Sequence, residues 1–90
     1  MGVVDMEITC GDFKALRRLV MLTGIPGEWT KGKNGHRQFR TANGAVLNDW
    51  KSTGTVTFQG RDLPAAELKA MVLQRAIVIR VPVNTGRDAA

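Results

Sequence analysis

Residues 36–60, HRQFRTANGAVLNDWKSTGTVTFQG, constrain the fold more than any other stretch of the chain. Two turn signals divide them into three strand-length runs, which read as two consecutive β-hairpins. Asn43-Gly44 is a pair favoured in two-residue type I′ turns, because both central residues there need positive φ. Ser52-Thr53-Gly54 suits a three-residue loop, a type I turn closed by a left-handed glycine. Turn length sets register, and a slip of one residue sends a whole strand's side chains to the opposite face. With these two turns, Phe39, Val46, Trp50, Val56 and Phe58 share one face, which is expected to be core. Gln38, Arg40, Leu47, Asp49, Thr55, Thr57 and Gln59 share the other, which is polar, slightly basic and free. A second loop of two or four residues would instead move Trp50 to the face of Thr55, Thr57 and Gln59.

The flanking segments supply cover for the core face. Residues 2–8 alternate, with Val4, Met6 and Ile8 on one side and Val3, Asp5 and Glu7 on the other, as in a half-buried strand. Thr9 and Asp12 resemble a capping box opening a helix that runs to about Thr23. That helix carries Phe13, Leu16, Leu19 and Val20 at helical spacing, while Lys14, Arg17 and Arg18 lie off the apolar stripe as a solvated face. Gly24-Ile25-Pro26 then ends it. A short strand is expected around Trp29, followed by a Lys/Gly loop with a turn at Asn34-Gly35. After Gly60, Asp62 is expected to cap a second helix from about Leu63 to Ala76, with Pro64 in its first turn. Its expected stripe is Ala65, Leu68, Met71, Val72 and Ala76. Residues 77–83, IVIRVPV, are mostly β-branched and predict a strand, which Pro82 confines to an edge or an end. That strand offers a homodimer contact through Ile77, Ile79 and Val81. Residues 84–90 read as a frayed tail. The order strand, helix, four strands, helix predicts a two-layer α+β domain over residues 1–83, a curved antiparallel sheet with both helices on one face.

Totals narrow the function classes. Ninety residues make one small domain near the size where a single core becomes marginal. One cysteine excludes an internal disulfide and fits a reducing, cytoplasmic setting. There is no signal-peptide pattern and no apolar run near the length of a membrane span, so no membrane partner is expected. A net charge of +5 favours encounter with polyanions, chiefly nucleic acid. Small domains also carry such charge for solubility alone.

Catalytic and metal motifs fail on inspection. Gly27, Gly32 and Lys33 have P-loop spacing, but Asn34 stands where a magnesium-binding hydroxyl belongs, and no parallel sheet is available. One His and one Cys cannot build a usual zinc site, and no cofactor is implied. Cys10, just after a helix cap, has the position for a depressed thiol pKa, although inert packing is the favoured reading. His36 is its only candidate base and nothing joins the two, so the chain reads as non-enzymatic. What remains is the free sheet face. Gln38, Arg40, Thr55, Thr57 and Gln59 form its centre, and Lys33, Arg37, Lys51 and Arg61 surround it with positive charge. Such side chains can hydrogen-bond phosphate, 2′-hydroxyl or base edges.

Asn48–Gly60, NDWKSTGTVTFQG, is similar to the substrate-binding N-terminal domain of ribonuclease HIII, and the element order resembles one TATA-binding-protein-like repeat. That domain carries an aromatic, Lys-Ser-Gly-Lys, a strand, then Phe-Gln-Gly before a helix. Here Thr53 is added to the turn and Thr55 replaces a lysine. The resemblance implies the fold and a nucleic-acid-binding history without nuclease activity. The expected partner is nucleic acid or a nucleotide. A rival expectation is a phage-type or mobile-element antagonist of host defence, binding a signalling nucleotide or a host protein through the same face.

Overall fold

Asp12 opens the first helix by accepting a 2.9 Å hydrogen bond from the Lys14 amide, and Gly24 at φ 75° closes it. The computed structural model describes residues 7–10, 12–32, 35–50 and 52–85. Along them run β1 (Glu7–Thr9), α1 (Phe13–Thr23), β2 (Gly27–Lys31), β3 (His36–Thr41), β4 (Ala45–Trp50), β5 (Thr55–Gly60), α2 (Asp62–Ile79) and the two-residue β6 (Asn84–Thr85). One antiparallel sheet has the order β2-β3-β4-β5-β1-β6. Both helices pack on one face of it, so the protein is a two-layer α+β fold. The expected strand over 2–8 is described only from Glu7; Ile8 points into the core as its alternation requires.

The core joins Leu16, Leu19 and Val20 of α1 and Ala65, Leu68, Val72 and Ala76 of α2 to Ile8, Phe39, Leu47, Val56 and Phe58 of the sheet. Each large aliphatic side chain removed from water there contributes about 1.5–3 kcal/mol before entropy is charged against it. Trp29 meets Phe13 edge-on and tilts over Phe39, both at 5.2 Å between centroids, which ties β2 to α1.

Strand β4 departs from the expected register. The first hairpin loop has three residues, Ala42, Asn43 and Gly44, because Arg40 pairs with Val46. Asn43 has negative φ and only Gly44, at φ 102°, is left-handed, so the turn is not type I′. Thr41 drives this choice: its hydroxyl accepts the Ala45 amide at 2.9 Å and donates to the Asn43 side chain. The second loop has four residues, since Trp50 pairs with Thr55, and it ends at left-handed Gly54. Each loop is one residue longer than expected. The two changes cancel between β3 and β5 but turn β4 over. Ala45, Leu47 and Asp49 therefore face the helices, while Val46, Asn48 and Trp50 face outward, opposite to the assignment from sequence.

Three further expectations need correction. Thr9 lies in β1, and Asp12 alone caps α1. Arg61, not Asp62, is the cap residue of α2, with no side-chain cap bond; Asp62 sits in the first turn, where a carboxylate favours the dipole. Residues 77–79 continue α2 instead of forming a strand over 77–83. Ile79 falls one turn beyond Ala76 and packs on the same core, and that burial outweighs the small β preference of β-branched residues. Arg80, left-handed at φ 59°, ends the helix, with its own amide and that of Val81 returning to Ile77 and Ala76. This is a Schellman stop. The chain then reaches β6, which pairs with β1 at the sheet edge.

Candidate nucleic-acid interface

With both helices on one side, the opposite face of the sheet has no covering element among the described residues. Antiparallel register sets its rows. His36, Trp50 and Thr55 lie side by side, then Gln38, Asn48 and Thr57, then Arg40, Val46 and Gln59.

Asn48 is the centre of the face and only 3 % exposed. Its carbonyl oxygen accepts from Gln38 Nε2 at 2.8 Å and lies 3.0 Å from His36 Nε2. Its amide nitrogen donates to Gln59 Oε1 at 2.8 Å and to Thr57 Oγ1 at 3.3 Å. Arg40 Nε and Nη2 both donate to Gln38 Oε1, at 3.3 and 3.2 Å. A guanidinium has no acceptor, so it fixes the sense of the whole chain. Gln38 must take from Arg40 with its oxygen and give to Asn48 with its nitrogen; Asn48 in turn gives to Gln59. His36 Nε2 must carry a proton, because it faces an oxygen that can only accept. The amides thus bind one another first, and the face is held rigid.

At one end of this network His36 and Trp50 stack, 3.9 Å between centroids and 2° between planes. Trp50 is 42 % exposed, so part of the indole stays open to solvent. At the other end Arg40 is exposed, with Glu28 opposite it on β2.

Of the residues proposed from sequence, Gln38, Arg40, Thr55, Thr57 and Gln59 stand together on this face. Arg37 does not. It projects to the helix side, where its guanidinium lies 4.0 Å from the centre of the Phe13 ring and 3.8 Å from Asp49. Arg61 is exposed at the far end of β5, its aliphatic stem against Gly44. Lys33 and Lys51 lie outside the described residues. Sequence reasoning missed His36 and Asn48, and it placed Trp50 here only for a second loop of two or four residues, of which the four-residue loop is the one observed. The missed signal was row matching: the observed register sets Phe39 beside Leu47 and Phe58, and Gln38 beside Asn48 and Thr57. The expected turns would have set Phe39 against Asn48.

Cys10 is buried, and burial raises its thiol pKa, with Asp12 and Asp49 adding repulsion against a hydrogen bond at the Asp12 backbone. A thiol activated at the helix start is therefore not what the fold builds; desolvation dominates, and the inert packing favoured from sequence agrees with the burial of Cys10. Among the described residues no three His, Cys, Asp or Glu side chains cluster for a metal, and no helix is long and apolar enough to cross a membrane.

No protein-family model matches this chain, and no curated protein or solved structure matches it either.

Proposed function

We propose that this chain is a non-catalytic nucleic-acid-binding module that works through the open face of its sheet, in a TATA-binding-protein-like architecture. The strand order β2-β3-β4-β5-β1 with two helices behind it supports that architecture. The observation that carries the function is the Trp50–His36 stack set beside a polar network whose direction Arg40 imposes. An exposed ring held flat by a second ring is a platform for an unpaired base, and stacking accepts any base. Arg40 uses Nε and Nη2 within the protein, and its remaining nitrogen is free to meet a phosphate. His36 and Arg40 are four residues apart on β3, about 13 Å. That distance covers several 3.4 Å rises of a stacked strand.

This favours single strands over duplexes. Arg40 is the one described arginine or lysine on the central rows of the face, because Arg37 points inward. Stacking and pre-organised hydrogen bonds therefore carry more of the affinity than charge does. A second reading, an antagonist of host defence that captures a signalling nucleotide, draws on the same observation, since one aromatic platform and one guanidinium also suffice for a single nucleotide. Fluorescence titration against single strands, duplexes, hybrids and cyclic oligonucleotides at several salt concentrations tests both. Salt-dependent binding that prefers single strands supports the module. Tight, salt-insensitive binding to a small nucleotide supports the antagonist, and no binding at low salt removes both.

A further inference from the structure

Strand β2 is an edge of the sheet, and its outer side has no partner among the described residues. One bond fixes the phase of its backbone. The Gly32 amide donates to the His36 carbonyl at 2.6 Å, which makes 32 and 36 a hydrogen-bonded pair. In an antiparallel ladder every second pair is of that kind, so Thr30–Gln38 and Glu28–Arg40 are the next ones. The N–H and C=O groups of Gly27, Trp29 and Lys31 therefore point away from β3, out of the edge. No bulge interrupts the one-to-one register over 27–31, and no proline falls within it. Natural sheets usually blunt such an edge.

The helix side of β2 adds a second feature. A groove of about 870 Å³ runs between β2 and one flank of α1. Ile25, Trp29 and the Phe39 ring give it an apolar floor, and a side chain at Gly27 would come within 2.6 Å of that ring. Lys14, Arg17 and Arg18 form its wall, all exposed. Lys31, two residues beyond Trp29, projects to the same side. None of these four cations has an ion pair among the described residues. The Asp12 carboxylate accepts from the Lys14 amide, and Glu28 stands on the opposite face beside Arg40.

We propose that β2 takes up an extended acidic segment of another protein as a further strand, with alternate side chains seated in the groove. The edge calls for a polypeptide. It offers donors and acceptors together, repeating every ~6.8 Å along the strand, whereas a phosphodiester backbone returns only acceptors. The four cations without ion pairs call for carboxylates, and the floor of Ile25 and Trp29 calls for one apolar side chain between them. Inward-facing residues of a strand are two apart, so the segment reads acidic, any, apolar, any, acidic. Main-chain bonds supply affinity in such strand addition, and the groove selects the side chains. This edge is separate from the open face of the sheet and does not rest on the nucleic-acid reading.

Fluorescence anisotropy of the full chain with a dye-tagged peptide, Thr-Asp-Thr-Leu-Thr-Asp-Thr, tests the proposal. The peptide should bind, and its isomer Thr-Thr-Leu-Asp-Asp-Thr-Thr should bind about tenfold more weakly, because only alternate side chains enter the groove. Methylating every second backbone nitrogen of the peptide should abolish binding in one phase and spare it in the other, since one set of amides faces β2. Arg17→Glu should weaken binding about tenfold by setting like charges together. Lys31→Pro deletes an outward N–H where an edge tolerates proline. It should weaken binding more than Lys31→Gln does, with circular dichroism unchanged. Absence of binding, or binding indifferent to both methylation phases, would overturn the proposal. So would a single-stranded oligonucleotide that loses affinity with Arg17→Glu while the peptide does not.

Discussion

Arg37 and Asp49 stand opposite each other on β3 and β4, 3.8 Å apart on the helix side of the sheet, and neither Arg37 Nη1 nor Asp49 Oδ2 has a hydrogen-bond partner. An aspartate that is 3 % exposed on the helix side of the sheet is an expensive group to charge. Burial raises its pKa, against the opposing pull of Arg37 and His36. The folded pKa therefore lies above the unfolded one. The stabilising contribution of the protonated acid is complete below the unfolded pKa and is lost as pH rises through the raised folded value.

Asp49→Asn removes that titration while keeping the shape. Its melting midpoint should gain on wild type as pH rises from the acid range toward neutrality, and the two should converge at low pH. Thermal melts across pH decide this. A constant gap between the two proteins would mean that Arg37 fully compensates the buried carboxylate.

Trp50→Ala separates binding from folding. The indole is partly exposed and its packing partner is His36, so the loss of stability should be about 0.5–1.5 kcal/mol, the worth of an aromatic pair, and not that of a core deletion. Affinity for single strands should fall by about 1–3 kcal/mol. A melt and an anisotropy titration on the same preparation read both quantities. A large drop in melting midpoint with binding retained would return Trp50 to a structural role.

Asn48→Ala should damage both. It removes the buried amide that joins Gln38 Nε2 to Gln59 Oε1, and leaves half-buried Gln38 Nε2 without its partner. A cost of about 1–3 kcal/mol is expected for groups stranded in this way. Denaturant unfolding measures it, and affinity should fall with it because the side chains around His36 and Arg40 lose their common support.

Arg40 and Glu28 make a paired test of the charge term. They are directly opposite on β3 and β2, where side chains approach within about 5 Å. Arg40→Ala should flatten the dependence of log K on log salt by about 0.7 for a single strand. Glu28→Gln should tighten binding at low salt by removing a negative charge that repels phosphate beside Arg40. If neither change alters the salt slope, phosphate contact at this end of the sheet is absent.

Much of the fold was legible because its signals are local. Asp12 and Gly24 mark the ends of α1 through bonds to their own neighbours, and the apolar spacing of Leu16, Leu19 and Val20 needs no partner to be recognised. The outward faces of β3 and β5 were legible too, which is why Gln38, Arg40, Thr55, Thr57 and Gln59 were found together. Strand β4 was not, because its direction depends on turn lengths. Asn43-Gly44 suits a two-residue turn by propensity, yet the Thr41 hydroxyl and the burial of Leu47 between Phe39 and Phe58 favour three. The end of α2 was hidden for a similar reason: Ile77, Val78 and Ile79 prefer strand locally, and only the core that receives Ile79 makes them helical.

The chain by itself thus determined its two-layer class, the limits of α1, and a polar sheet face bearing Arg40, because capping, periodicity and alternation act within a few residues. Tertiary structure alone decided that Asn48 and Trp50 belong to that face and Arg37 to the other. Those choices are made between strands, where side chains distant in sequence must match in rows. A one-residue change in a loop costs little locally but reverses an entire strand.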